Sequence, residues 1–383
     1  MDFELPPDDD PRRLAVRAWL AAHPSPTPEE LQDAGYVVPH WPRPWGIGAD
    51  PMHHLLVDQE LAAAGVDRPD NPIGIGWAGP TLLAAGTPEQ QQRWLPPLLT
   101  GREFWCQLFS EPEAGSDLAS LRTTAVRDGD EWVITGSKLW SSYADHSDFG
   151  ILLARTDPDA PKHKGISYFV LPMATPGVEV RSIVEMSATS ADPPPGSHGR
   201  HFNECFFDGA RIPGDHLVGA PGDGWKLATL TLANERVSLS TGGVLWSMGP
   251  TTDELLDLVR ARGGVADPVR RQQVARVHTE AFVLRLLGLR ILTASLKGEA
   301  PGPEVSIQKA LADDHGQHVL ALAADLAGLD ALLTSWGPLG APAEQPWGTW
   351  YWGGLFSRAL TIGGGTSEVQ RNIIGERLLG LPR

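Results

Sequence analysis

The sequence predicts an α+β protein built as three successive regions: an N-terminal helical domain, a central antiparallel β-domain and a C-terminal helical bundle. Apolar residues recur at helical spacing up to about residue 101, at a period of two from about residue 104, and at helical spacing again from Trp225. The short segments in the middle are each bounded by Gly, Pro or Asp, as strands are. The chain has 383 residues, enough for two or three domains around a sizeable core. The expected divisions are residues 1–103, 104–215 and 216–383.

In the first region, residues 11–22 place Leu14, Val16, Trp19 and Leu20 at helical spacing. Residues 50–65 open with an Asp cap and a first-turn Pro and end in Gly. Thr87-Pro88-Glu89-Gln90 starts another helix with a capping Thr and an amide three residues on. Connectors such as residues 39–48 are rich in Pro and Gly. In the second region, residues 123–127 and 131–136 flank Asp128-Gly129-Asp130 and read as a hairpin. Further strands are expected at residues 150–155, 165–173, 178–184 and 202–207. In the third, helices are expected at residues 224–242, 251–261, 268–297, 306–326 and 366–379. A Trp-, Pro- and Gly-rich loop at residues 336–354 interrupts them. The chain shows no internal repeat and neither a GxGxxG nor a GxxxxGK[ST] loop.

Lys and Arg number 31 against 47 Asp and Glu, a net charge of −16. Such a surface repels phosphate backbones and anionic headgroups, which argues against nucleic acid or membrane-surface partners. An anionic small ligand would need a local pocket of Arg, backbone N–H groups or helix ends. Cys106 and Cys205 provide neither a disulfide framework nor a cysteine-built zinc site. His53 and His54 are adjacent, and His315 and His318 lack nearby acids beyond Asp313 and Asp314, so no metal site is expected. The first residues lack the basic and apolar stretches of a signal peptide, and no run is long and apolar enough for a membrane span. A cytoplasmic protein is the expectation.

Three segments carry chemistry. Phe109-Ser110-Glu111-Pro112-Glu113-Ala114-Gly115-Ser116-Asp117 is a turn of small residues, N–H groups and hydroxyls that suits a phosphate or polar heterocycle. Lys138-Leu139-Trp140-Ser141-Ser142 sets a Trp able to stack on a flat ring beside two hydroxyls. Gly363-Gly364-Gly365-Thr366-Ser367-Glu368-Val369-Gln370-Arg371 leads a glycine run into a capped helix, where a ligand can approach the backbone. Taken singly, each is more often a plain loop, a core Trp or an ordinary helix start.

In this order and spacing the three segments resemble the signatures of the acyl-CoA dehydrogenase family, and the resemblance covers nearly the whole chain. It implies a C-terminal four-helix bundle, with FAD held between that bundle and the β-domain. By position, Phe109, Ser110 and neighbouring backbone would meet the pyrimidine side of the flavin, and Gly115 and Ser116 the pyrophosphate. Trp140 would lie against the flavin and Ser142 would donate toward N5. Thr366 and Glu368 would meet the adenosine half, in the family usually delivered across a subunit contact. The implied assembly is a dimer of dimers, homomeric or heteromeric, with electron-transfer flavoprotein as electron acceptor.

The reaction this implies is α,β-dehydrogenation of an acyl-CoA thioester. A carboxylate takes the α-proton, the β-hydrogen leaves as hydride to flavin N5, and hydrogen-bond donors polarise the thioester carbonyl. Many members carry the base immediately before the Gly-Thr of the last signature. That position is Gly364, which keeps only its backbone N–H. A minority carry a Glu followed by Arg on a bundle helix, where this chain reads Leu232-Ala233-Asn234-Glu235-Arg236-Val237-Ser238. The resemblance thus assigns Glu235 as base, Arg236 as the neighbour fixing its environment and Gly364 as the polarising N–H. A solvated Glu-Arg pair on a helix surface is the plain alternative.

Two segments depart from the family pattern. Residues 260–267 supply Arg260 and Arg262 but no Phe for the partner's FAD, and residues 325–329 have lost a glycine. Two further readings therefore stay open: a non-catalytic or half-site subunit of a heteromeric dehydrogenase, and a flavin oxidase or monooxygenase. A base on the bundle helix is compatible with branched or bulky acyl groups. Trp336, Trp347, Trp350 and Trp352 would either shape a wide pocket or pack as core and interface aromatics.

Overall fold

The computed structural model describes residues 6–188, 201–241, 250–297, 302–328 and 350–382. The N-terminal helices are α1 (Pro11–Ala22), α2 (Pro28–Asp33), α3 (Pro51–Ala63), α4 (Gly79–Ala85) and α5 (Pro88–Leu99). Side chains fix where they start. Asp50 accepts from the His53 N–H at 2.7 Å, and Thr27 with Glu30 and Thr87 with Gln90 form reciprocal capping boxes. A π-helical turn, Gly74–Ala78, leads into α4. Val16, Leu20, Leu31, Leu61, Leu95 and Leu98 from these helices are buried in one cluster. Each such side chain contributes about 1.5–3 kcal/mol by leaving water.

The strands are β1 (Trp105–Leu108), β2 (Thr124–Asp128), β3 (Glu131–Lys138), β4 (Phe149–Arg155), β5 (Ile166–Pro172), β6 (Val178–Ser182), β7 (Asn203–Pro213) and β8 (Leu217–Val218). They form one sheet in the order β6-β7-β3-β2-β4-β5-β8, with β1 added on β4. The expected hairpin is β2–β3, in register from Thr124↔Thr135 to Asp128↔Glu131. Two seams depart from a purely antiparallel arrangement: β1 lies parallel to β4, and Thr124 bridges Arg155 in parallel. Alternation divides β1 between two cores. Trp105 and, just beyond the strand, Phe109 face the N-terminal helices, whereas Cys106 and Leu108 face the other side with Trp132, Ile134, Phe169 and Leu171. Both cysteines are buried free thiols.

The C-terminal helices are α6 (Gly224–Thr241), α7 (Thr252–Ala261), α8 (Pro268–Leu296), α9 (Val305–Ala327), α10 (Trp350–Phe356) and α11 (Ser367–Ile373). Helix α9 packs on α6, α8, α10 and α11. The expected helix over residues 366–379 is shorter, because a π-helical turn, Ile374–Leu378, follows α11. Part of the expected loop is helix: α10 buries Trp350, Trp352 and Phe356 against Leu255, Leu258, Val319 and Leu322. Those two tryptophans are core residues. Trp336, Trp347 and the expected helix end at Gly242 lie outside the described residues. Among the described residues no helix is long and apolar enough to cross a membrane, and no group of His, Cys, Asp and Glu could hold a metal ion.

Candidate active site

Helix α6 carries Leu227, Ala228, Thr231 and Glu235 on one inward stripe, at the three- and four-residue spacing of a helix face. Its first residue must be small. A Cβ on Gly224 would come within 2.6–2.7 Å of the Ile166 and Ser167 backbone, so the helix presses directly on β5. Buried hydroxyls then fix its rotation: Thr231 meets Thr81 of α4 at 2.8 Å and Tyr168 of β5 at 3.2 Å. One turn beyond Glu235, Ser238 accepts from the Trp77 indole N–H at 2.8 Å. Trp77 sits in the π-helical turn, a local departure frequent at functional sites.

Glu235 is buried, with 6% of its surface exposed. Gln107 of β1 donates from Nε2 to its Oε2 at 3.2 Å. Burial pushes the Glu235 carboxyl above its ordinary range, while Gln107, Arg236, Lys309 and the Gly364 N–H oppose that rise. Burial also lowers the Arg236 guanidinium, with Glu235 holding it up and Arg377 pushing it down. The structure brings Gly364 to the same place. A Cβ built there would lie 3.9 Å from Glu235 Oε1, 3.3 Å from Lys309 Cε and 2.8 Å from Leu239 Cδ1, at a φ of +68°.

The glycine loop is held from two helices. Lys309 of α9 is fully buried, and its Nζ donates to the carbonyls of Leu360 (2.9 Å) and Gly365 (3.0 Å) and to Asp313 Oδ2 (2.5 Å). Gln370 of α11 donates to the carbonyls of Gly364 (2.9 Å) and Gly365 (3.1 Å). Thr366 caps α11 by accepting from the Val369 N–H at 3.2 Å. Burial pushes Asp313 up to about 7 against the pull of Lys309. Glu368 is exposed and pairs with Arg371 at 3.4 Å.

A second buried lysine joins the other two segments. Lys138 Nζ donates to the Phe109 carbonyl at 2.9 Å and to Glu111 Oε1 at 2.8 Å. Glu111 also accepts from the N–H groups of Arg122 (2.6 Å) and Thr123 (2.9 Å). The Leu139 N–H donates to the Ser110 carbonyl at 2.9 Å. Burial brings Lys138 down to about 8, with Glu111 opposing. The ring of Phe109 is buried edge-on to Tyr168, so only its backbone is available to a ligand. Gly115 and Ser116 are exposed in the following turn, with nothing within 4 Å of a Cβ on Gly115.

Trp140 is 55% exposed and adopts φ +64°, a left-handed conformation costing a non-glycine residue about 1–2 kcal/mol. Its ring stands edge-on to Phe202, which stacks on Phe356 of α10. Ser142 is half-buried beside it. A flat ring held outward in a strained backbone, two residues before the half-buried Ser142 in the chain, fits a flavin. Gln107 ties this wall to Glu235, and Phe356 continues into the stretch whose Leu360 and Gly365 carbonyls Lys309 holds.

Arg260 pairs with Asp257 at 2.5 Å on the exposed face of α7, and Arg262 at the end of α7 donates to the Leu326 carbonyl of α9 at 3.0 Å. Sequence reasoning did not single out Gln107, Lys309 or Gln370 as site residues. The available signals were a lone polar residue inside β1 and a Lys–Asp pair four apart on a mostly apolar helix.

Sequence models of the acyl-CoA dehydrogenase N-terminal, middle and C-terminal domains match residues 12–102, 106–202 and 222–379. The acyl-CoA dehydrogenase IpdE1 of Mycobacterium tuberculosis is 40% identical over 93% of this chain and 87% of its own length. The chain belongs to the acyl-CoA dehydrogenase family. Members of this family are flavoprotein oxidoreductases acting on CH–CH bonds. The acyl-CoA dehydrogenase FadE34 of the same organism is 42% identical over 97% of this chain, which spans about half (48%) of that relative's length. Among solved structures, the Tcur3481-Tcur3483 steroid ACAD aligns over both whole chains with a TM-score of 0.78 and 28% identity. The ChsE4-ChsE5 complex from Mycobacterium tuberculosis does so with a TM-score of 0.76 and 29% identity.

Proposed function

We propose that this acyl-CoA dehydrogenase removes the α- and β-hydrogens of an acyl-CoA thioester, with Glu235 as the base. The observation that carries the reading is the meeting of Glu235 with Gly364. The one buried carboxylate on α6 reaches the place where the family's commoner base would project from the glycine loop. When bound, FAD accepts the β-hydride at N5. Ser110, Gly115, Ser116, Trp140 and Ser142 would hold its near half, and Thr366 and Glu368 an adenosine half shared between subunits.

The ionised Glu235 takes the α-proton while α6, pinned through Thr231 and Ser238, keeps its position. Gly364 presents a backbone N–H beside the carboxylate, the kind of donor a developing enolate oxygen needs. Lys309 and Gln370 hold that N–H by binding the neighbouring carbonyls. Burial keeps water from competing for the carboxylate.

Two solved relatives of 28–29% identity are named as two-component assemblies, which supports an oligomer in which another chain completes the flavin contacts. The internal engagement of Arg260 and Arg262 favours the same arrangement. A bulky acyl group is supported by the name steroid ACAD, and membership of the family supports electron-transfer flavoprotein as the electron acceptor.

The test is Glu235→Gln in the FAD-loaded protein, purified alone and with any co-purifying chain. Flavin reduction by butyryl-, octanoyl-, palmitoyl- and cholyl-CoA should fall by roughly 10² to 10⁴ while FAD stays bound. Wild-type reduction with all the thioesters the protein accepts would overturn the assignment.

A further inference from the structure

Strand β1 contains a side chain that packing does not explain. Trp105 and Phe109, two residues to either side of Gln107, enter the apolar cluster that also receives Leu227 and Ala228 of α6. Alternation directs Gln107 to the same side, where an apolar residue would be the ordinary choice. A carboxamide there is costly to desolvate unless both of its ends are paired. Only one end is: Nε2 donates to Glu235 Oε2 at 3.2 Å, and the buried Oε1 has no partner.

We propose that Gln107 is a positioning residue for Glu235, orienting the carboxylate and matching both of its protonation states. This rests on the reading of Glu235 as the base. A carboxamide carries a donor at one end and an acceptor at the other. Toward ionised Glu235 it presents the N–H₂, a charge-assisted hydrogen bond that favours the form able to take a proton. When the substrate C–H bond breaks, its electron pair stays on the substrate and the proton forms an O–H bond on Glu235. Turning the amide about its last bond then offers the unpaired Oε1 to that new O–H. The unsatisfied oxygen thus has a use in the second half of the proton transfer.

The other groups facing Glu235 are Arg236 on its own helix, the Gly364 N–H, and Lys309 on α9, whose charge is shared with Asp313. None of them is altered by changing Gln107. Leu or Met at position 107 keeps the volume and removes both ends of the amide, and Met is the alternative should the Leu protein not fold. Glu at position 107 keeps the shape but places a second acid beside the first.

The experiment titrates Glu235 by carbon NMR in protein labelled at the glutamate carboxyl carbon, its resonance assigned by its loss in Glu235→Gln. Flavin reduction is followed across pH in the same FAD-loaded proteins, with the fastest of the four thioesters named above. In Gln107→Leu or Gln107→Met the Glu235 midpoint should move up. Reduction at neutral pH should fall about tenfold to a hundredfold and recover as pH rises, with FAD absorbance unchanged. Gln107→Glu should move the midpoint further still. An unmoved midpoint with an unchanged pH profile overturns the inference. A moved midpoint in a protein whose Glu235→Gln variant still reduces flavin overturns the base reading instead, and with it any part for Gln107 in turnover.

Discussion

Oε1 of Glu235 lies 3.9 Å from the point at which a side chain on Gly364 would begin. The two residues are more than a hundred positions apart in the chain, yet they address one volume from opposite sides. A base can therefore be delivered there from a helix or from the loop. Leu239, one turn beyond Glu235, already fills the space beside Gly364, which favours the proposed delivery from the helix.

Replacing Gly364 by Glu does not restore the commoner arrangement, although sequence logic alone suggests that it should. The position has a φ of +68°, and a Cβ there would meet Leu239 Cδ1 at 2.8 Å. The backbone alone should cost about 1–2 kcal/mol. The expected result is a less stable protein by urea denaturation, and no recovery of flavin reduction when the change is added to Glu235→Gln. A double variant that reduces flavin at the wild-type rate would show that the loop can host the base.

Lys309 anchors the loop through two carbonyls while neutralising Asp313. Lys309→Met strands a buried acid and should cost about 3–5 kcal/mol. Adding Asp313→Leu removes that acid and should return much of the stability, because a packed apolar pair can replace a buried ion pair. The carbonyls of Leu360 and Gly365 remain unanchored, so flavin reduction should stay low in a well-folded double variant. Thermal denaturation alongside single-turnover reduction checks both halves, and wild-type reduction in the double variant would sink the anchoring role.

The legible parts of the fold were those with local signals. Helix α1 follows Asp10-Pro11 and an apolar stripe, and the β2–β3 hairpin follows Asp128-Gly129-Asp130. Strand β1 has neither: four residues pair in parallel with a strand some forty positions later, which leaves no local trace. Helix α10 reads as loop because Trp and Gly dominate it, yet its aromatics are core. The order of family signatures pointed to Glu235 and Gly364, and the fold brings those two residues together. Gln107, Lys309 and Gln370 were not legible, because their partners are a distant carboxylate and loop carbonyls that only the fold brings to them. The pairing of Lys138 with Glu111, 27 residues apart, was hidden in the same way.

Trp140 separates flavin binding from stability. Trp140→Gly removes the exposed ring and the cost of a left-handed non-glycine residue, about 1–2 kcal/mol. The lost edge contact with Phe202 is worth about 0.5–1.5 kcal/mol, so the two changes should nearly cancel. Urea denaturation of the flavin-free protein should therefore move little, while FAD retained through gel filtration should drop. Unchanged retention and an unchanged flavin spectrum would remove Trp140 from the cofactor site.

Glu235 itself should reduce stability in the range where it is useful. Burial raises its carboxyl above the ordinary value of 4.5. Between the ordinary value and the raised one, the folded protein keeps a proton that the unfolded chain has lost. Stability from this group is then fully present below the ordinary value, declines as pH rises through the window, and stays reduced above it. Glutamine at 235 does not ionise and escapes the decline. It forgoes the attraction of Arg236 and Lys309, but burial already outweighs that attraction in setting the direction of the shift. Glu235→Gln should therefore be more stable than the wild type at pH 7.5, with the advantage vanishing as pH falls below about 4. Urea midpoints at several pH values measure this directly. A gain in stability joined to a loss of flavin reduction is the pattern of a strained functional group, whereas a structural Glu–Arg pair would lose stability in the same variant.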